Sequence, residues 1–589
     1  MKQWNIDIPI QPLAAPDAGN EYYQNLEPRT QLLRKGSRPH NAKALSCDIL
    51  VEHDYCFQVR DGAKLYADIY RPANSEEKVP AIICWGPFGK KFNGLQSLKL
   101  MTPWNLGVQT QEALSGLEKF EAPDPADFVP RGYAIINIDS RGAYDSEGVM
   151  AIMGTQEAED GYDVVELSAK LEWCNGKVGL AGNSHLAIIQ WFIAALNPPS
   201  LAAIAPWEGC GDLFREQFGR GGIYGGDLFD GLIVKYMLKG RHGMESFRQM
   251  YEKHPLANEW WNDKRPDMKK INVPTYITGT WSNTMHGMGA IRGWREGATD
   301  KKWLRFHGTQ EWYDIWGNSN SVNELMNFFD RYLKDIDNAW ESTPRVRLSL
   351  LRFGELDPIE NISVADFPLP DTDYQQFFLA PEEKLDPQAM SDGTPQSISY
   401  DSTNPSSYAS FKHKFSSRTA MAGIPKAVLH MSCLDTDDMD VYVILRKLSA
   451  SGAPLLSLNI PWKGIPPNSV SEIPQDKRTE LILYTGAIGV LRASHRKIDA
   501  SKSMHENWPY HPHDELEKIT PNKIVRLEIG IWATGILFEA GESLELRIGG
   551  SYPGIANFGT NDHSLNVGQH TVHFGSNHES HLILPIVNL

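Results

Sequence analysis

The chain has 589 residues, 41% of them hydrophobic and 22% charged, with a formal net charge of −16. That length predicts two or three domains, and the acidic balance argues against nucleic acid or an anionic membrane surface as partner while leaving small or neutral substrates open. Six cysteines (Cys47, Cys56, Cys84, Cys174, Cys210 and Cys433) show no metal-like pairing and read as free thiols of a reducing compartment.

The first residues, "MKQWNIDIPIQPLAAPDAG", carry no apolar core of a signal peptide, and no apolar run approaches the ~20 residues of a membrane helix. A cytoplasmic location is therefore expected. Residues 1–50 are polar and proline-bearing, an arm over the body. "CFQVRDGAKLYADIYRP" (56–72) alternates on either side of Asp61-Gly62, a hairpin signal. Strands follow in "VPAIICWGPFGK" (79–90) and "GYAIINIDSRGAYDSEG" (132–148), then a helix in "QEAEDGYDVVELSAKLEW" (156–173). Strand, loop, helix and strand at this spacing predict βαβ units and a parallel sheet covered on both faces.

The next stretch, "VGLAGNSHLAIIQWFIAA", joins a buried strand to an apolar helix through Gly182-Asn183-Ser184. Hydrolases use such a turn to lift a nucleophilic serine out of a sheet, but G-x-S-x-G requires glycine where Leu186 stands. "LAAIAPWEG" (201–209) resumes the sheet. Residues 210–272, rich in Gly, Trp, Tyr and Met, sit where a helical lid would, with "GRGGIYGG" (219–226) as its hinge. Strands return in "VPTYITGTW" (273–281) and "KWLRFHG" (302–308), and "SVNELMNFFDRYLK" (321–334) reads as a helix. Short alternating strands from 346 to 589 predict a β-sandwich or jelly roll. The catalytic domain is thus expected over 51–209 and 273–345.

In this order the pieces resemble the cocaine-esterase and X-Pro dipeptidyl-peptidase (CocE/NonD) type of α/β-hydrolase. The resemblance rests on "DGAKLYADIYRP", "GPFGK", "FVPRGYAIINIDSRGAYDSEG", "GNSHLAIIQWFIAA" and "APWEG", then on "FFDRYLKDIDNAWESTPRVRLSLL", "LRASHRKID" and "ATGILFEAGESLELRI". It implies an α/β-hydrolase fold with a C-terminal jelly-roll-like domain, and a longer serine turn, G-x-S-x-x-G. Gly182 to Ala187 fits that turn with alanine in the last small position. Ser184 is the expected nucleophile, the positive end of the following helix favouring the oxyanion.

Three departures stand out. The resemblance implies a tyrosine hydroxyl in the oxyanion hole, where this chain has Phe88; a missing donor costs about 10²–10³ in rate. The N–H groups of Phe88, Gly89 and His185 are left as donors. Asn283, in "GTWSNTMHG", takes the place of the implied aspartate, and Glu311, in "FHGTQEWYD", falls close to that of the implied histidine. Exchanged roles are therefore expected, His286 as base and Glu311 orienting it, with His307 the competing base. His185 is read as lining the pocket, and Trp207, Trp281 and Trp312 as its aromatic walls.

"WPYHPHDELE" (508–517), with His511, His513 and Asp514, reads as a structural loop rather than a metal site. No metal or other cofactor is expected, and a homodimer is left open. The function expected is that of a serine hydrolase acting through an acyl-enzyme at Ser184 on an ester, lactone or amide of an apolar or aromatic small molecule. The alternative is a non-hydrolytic enzyme on the same fold, a lyase, cyclase, isomerase or acyl transferase of secondary metabolism. A silent binding protein ranks last.

Overall fold

The computed structural model describes residues 2–589 except 20, 22, 102, 284, 391–393, 556–563 and 576. An eleven-stranded sheet organises the first 364 residues. Its strands are β1 (Arg29–Leu33), β2 (Ile49–Gln58), β3 (Lys64–Pro72), β4 (Val79–Gly86), β5 (Ala134–Asp139), β6 (Cys174–Asn183), β7 (Leu201–Trp207), β8 (Thr275–Thr280), β9 (Lys302–His307), β10 (Val346–Leu350) and β11 (Ile359–Val364). They lie in the order β11-β10-β9-β8-β7-β6-β4-β5-β3-β2-β1.

From β10 to β5 every pairing is parallel, and the β1–β2–β3 meander adds on antiparallel. Every residue of β4, β5 and β8 is buried, as a sheet covered on both faces requires. Helices α1 (Thr155–Ala169) and α2 (His185–Ala195) pack on each other and on the sheet. α3 (Gly287–Glu296) follows β8, α4 (Glu311–Trp316) follows β9, and α5 (Ser319–Leu333) sets Phe329 and Leu333 against Gly179. This is the expected α/β-hydrolase fold.

Two boundaries differ from expectation. β10 and β11 extend the first sheet, so the second, largely antiparallel sheet begins at Asp373 rather than at 346. The open edge of β9 explains this, because it offers Val346–Leu350 a parallel partner. The arm is likewise no separate layer, for its Arg29–Leu33 pairs with β2 and its Ile10–Gln11 with Met244–Glu245 of the lid.

The lid itself is helical in short pieces: wide π-turned segments at Leu213–Phe218 and Phe229–Met237, and α-helices at Phe247–Lys253 and Glu259–Asp263. Its glycine run is docked rather than hinged. A Cβ on Gly221 would lie 2.1 Å from the Val490 carbonyl oxygen of the C-terminal domain, and the Arg220 guanidinium sits 4.6 Å over the Trp532 ring. Among the described residues no helix is long and apolar enough to cross a membrane.

Candidate active site

Ser184 lies between β6 and α2 at φ 52°, ψ −118°, a conformation costly for a residue with a Cβ and frequent at functional turns. Its N–H donates to the Trp207 and Glu208 carbonyls at 3.2 and 3.1 Å, anchoring the turn to β7. Close packing explains the altered spacing. A Cβ on Gly182 would meet Leu186 Cβ at 2.6 Å, and one on Gly209 would meet Ala187 Cβ at 3.1 Å. The small residue needed by this longer turn is therefore Ala187, and Leu186 fills the space left by Gly86 and Gly182.

Ser184 faces a cavity of about 90 Å³, room for several waters on a measure where one needs about 10–15 Å³. The lid roofs it with Leu213, Phe218, Phe229 and Leu232, and Ile152, Met153 and Ile188 form apolar walls. Phe88, His185, Asn283, His286, Glu311 and Trp312 all line it, as expected from the sequence.

His286 and Glu311 are brought together: Nε2 and Oε2 are 3.9 Å apart, both side chains almost fully buried. Neither imidazole nitrogen of His286 has a hydrogen-bond partner, and neither does Glu311 Oε2. Burial lowers the imidazole to about 3, so it is neutral. Burial, then the carboxylates of Glu208 and Glu121, holds Glu311 well above the usual carboxylate range. Asn283 caps the loop, its Oδ1 accepting the N–H groups of Met285 at 2.7 Å and His286 at 3.3 Å.

Other expectations are corrected. His307 lies outside the cavity lining, with Nε2 2.8 Å from Glu208 Oε1 and Nδ1 3.1 Å from Thr309 Oγ1; the end of its strand points it at a buried carboxylate rather than at Ser184. Gly89 also lies outside, beneath Tyr144, whose ring would meet an added Cβ at 2.6 Å. Trp207 is buried against Tyr276, and Trp281 stacks on Phe306 at 4.0 Å while donating to the Ser349 carbonyl. Both belong to the core, leaving Trp312 as the aromatic wall. The His185 ring is committed to Glu157, Nε2 to Oε1 3.1 Å, which leaves only its backbone N–H for an oxyanion.

A model of the X-Pro dipeptidyl-peptidase (S15 family) matches residues 61–239, and one of the X-Pro dipeptidyl-peptidase C-terminal non-catalytic domain matches 338–583. The chain belongs to the CocE/NonD, X-Pro dipeptidyl-peptidase-like family of α/β-hydrolases. A CocE/NonD family hydrolase from Staphylococcus aureus superposes with a TM-score of 0.83 at 29% identity, over 97% of this chain and 99% of that one. The cocaine esterase of Rhodococcus sp. (strain MB1 Bresler) is 24% identical over 380 residues, 54% of this chain and 61% of the esterase. The chain thus spans less than two thirds of that relative. An α-amino acid ester hydrolase shares the fold, with a TM-score of 0.66 at 15% identity over 98% of this chain and all of that one.

Within this family framework the site holds residues that motif reading missed. Glu121 lines the cavity from a loop with no motif; its φ of 68° is the local sign of a forced position. Its Oε1 accepts the Trp312 Nε1–H at 3.2 Å, and its buried Oε2 has no hydrogen-bond partner. Asn459, Glu480 and Leu481 reach the cavity from the C-terminal domain. The Tyr552 hydroxyl donates to Glu480, and burial pushes that carboxyl up to about 7. No spacing in the sequence connects these positions to Ser184.

Proposed function

We propose that the chain is a serine hydrolase that cleaves an ester, lactone or amide of an apolar or aromatic small molecule through an acyl-enzyme at Ser184. The observation that carries this reading is the strained Ser184 turn opening on a mostly apolar cavity that also holds the His286–Glu311 pair. Its relatives include a cocaine esterase and an Xaa-Pro dipeptidyl-peptidase, and ester and peptide hydrolysis both transfer an acyl group to water.

Glu311 lies toward Nε2 of His286, which leaves Nδ1 for the serine. As Ser184 Oγ attacks the carbonyl carbon, its proton passes to Nδ1, while a Glu311 oxygen accepts the Nε2–H and orients the ring. The 3.9 Å separation is a long contact of the kind that catalytic pairs shorten in the complex with substrate. The leaving group departs with the proton from Nδ1, and water repeats the sequence to free the acid.

The test is turnover of a panel of aryl and alkyl esters by the wild type, Ser184→Ala and His286→Ala, with fluorophosphonate labelling of Ser184. Both variants should lose nearly all turnover, and Glu311→Ala should lose most of it while remaining folded. Activity that survives Ser184→Ala would overturn the reading. The non-hydrolytic alternative draws on Phe88, which brings no hydroxyl to the oxyanion side; a wild type labelled at Ser184 but inert toward every ester and amide would favour it.

A further inference from the structure

Phe88 brings no hydroxyl to the oxyanion side, so a hydrolase at this site needs another donor, and the described cavity lining includes a buried carboxyl, Glu121. Glu121 lines the cavity together with Ser184 and His185, whose backbone N–H is the other donor available to a substrate carbonyl oxygen. Its Oε1 is occupied by the Trp312 Nε1–H at 3.2 Å. Its Oε2, also buried, makes no fully formed hydrogen bond.

The loop holding it is rigid. Neighbouring Lys119 is fully buried, with Nζ donating to the Gly86 and Ile138 carbonyls at 2.8 and 2.5 Å. Phe120 packs edge-on to Phe88 at 5.0 Å and against Trp312 at 5.7 Å. A donor so fixed costs no reorganisation during reaction.

We propose that Glu121 is a catalytic residue of this site, a neutral carboxylic acid whose Oε2–H and the His185 N–H together hold the substrate's carbonyl oxygen as it becomes an oxyanion. The assignment rests on Ser184 being the acylated nucleophile. The surroundings favour the neutral form: burial outweighs the hydrogen bonds the carboxyl accepts and the opposing Lys119 charge, and pushes Glu121 up to about 8. The His185 ring is engaged by Glu157 instead and offers Glu121 no counter-charge. A buried acid kept neutral can donate where a carboxylate can only repel an oxyanion.

In the attack step the Oγ–C bond forms, the Oγ proton goes to His286 Nδ1, and the carbonyl π pair moves onto the oxygen between the two donors. The pair returns when the bond to the leaving group breaks, and Glu121 keeps its proton throughout.

The experiment measures kcat/KM for 4-nitrophenyl butyrate, together with the rate of fluorophosphonate labelling of Ser184, across five proteins. These are the wild type, Ser184→Ala, Glu121→Ala, Glu121→Gln and the double variant Glu121→Ala/Phe88→Tyr, each checked by thermal unfolding. Glu121→Ala should lose about 10²–10³ in rate. Glu121→Gln, still a neutral donor, should stay within about tenfold of the wild type, and adding Phe88→Tyr should restore at least tenfold to Glu121→Ala. The wild-type rate should fall above about pH 8 as Glu121 ionises, and Glu121→Gln should lack that fall. Loss in Glu121→Gln as deep as in Glu121→Ala, without rescue by the added tyrosine hydroxyl, would make the carboxylate a base and overturn the proposal. An unaffected Glu121→Ala would overturn it too. Should wild type and Ser184→Ala behave alike, the nucleophile assignment falls and this proposal falls with it.

Discussion

At the scale of single residues, two histidines near the sheet's carboxyl edge look equivalent in sequence and differ in what surrounds them. His286 meets an empty cavity and Glu311. His307 is wedged between Glu208 at 2.8 Å and Asp314 at 3.7 Å, all three buried. Burial pulls the His307 imidazole down, but the Asp314 and Glu208 carboxylates more than offset it, and its folded value lies above the ordinary one. A group raised on folding contributes its full stability below the unfolded value of about 6.5 and loses it as pH rises through the folded value. His307→Gln should therefore destabilise the fold by about 3–5 kcal/mol at pH 6, since it strands buried carboxylates, with a smaller deficit at pH 9. Melting temperatures of both proteins across that range check this. A loss of turnover by folded His307→Gln with unchanged melting would contradict the structural role. Ser184 was legible from its strand-to-helix turn, and His286 and Glu311 were found through loops that the family resemblance aligns. Glu121 was not, because its position depends on a loop path that no periodicity encodes. Trp207 and Trp281 were misread because proximity to a strand end does not determine which side of the sheet a ring enters.

Among elements, the β6–α2 turn shows how backbone contact sets reactivity. Helix α2 comes so near the loop after β7 that Gly209 and Ala187 leave no spare volume between them. Ala187→Leu should overpack this contact, costing about 1–3 kcal/mol. It should also slow fluorophosphonate labelling of Ser184 by more than tenfold, because displacing α2 moves the His185 N–H from the oxyanion position. Ala187→Gly removes only a methyl group and should cost about 1 kcal/mol in helix propensity while labelling at close to the wild-type rate. Equal labelling by the Leu variant would show that the turn tolerates a displaced helix. The parallel sheet, the hairpin at Asp61-Gly62 and the two-sheet architecture were legible from alternation and spacing, whereas the strand Arg29–Leu33 was hidden in a polar arm. The 346 boundary was not, because a strand pairing with an exposed edge has the same local pattern in either sheet.

Across the whole molecule, the C-terminal sheet is part of the active site and not an appendage. Asn459, Glu480 and Leu481 complete the cavity wall, and the Gln310 N–H, at the start of α4, donates to the Asn459 carbonyl. The lid is clamped to the same domain: Arg220 donates to the Ile488 carbonyl, Arg215 donates to the Pro512 carbonyl at 2.7 Å, and Gly221 passes against Val490 at a φ of 59°. Only a residue without a Cβ fits there, since an added one would fall 2.1 Å from a carbonyl oxygen of the facing strand. Gly221→Ala should therefore push the lid's glycine run off the C-terminal domain while leaving the Ser184 turn, on the far side of the cavity roof, in place. The expected result is a KM for 4-nitrophenyl butyrate raised about tenfold or more with kcat reduced less, because the roof then binds the acyl group poorly but the reacting groups keep their geometry. Faster proteolysis within 210–240 should accompany it, as contacts that held this segment are lost. A fall in kcat at constant KM would instead show that docking of the C-terminal domain positions Ser184, His286 or Glu311, and that the lid's attachment acts on chemistry rather than on binding.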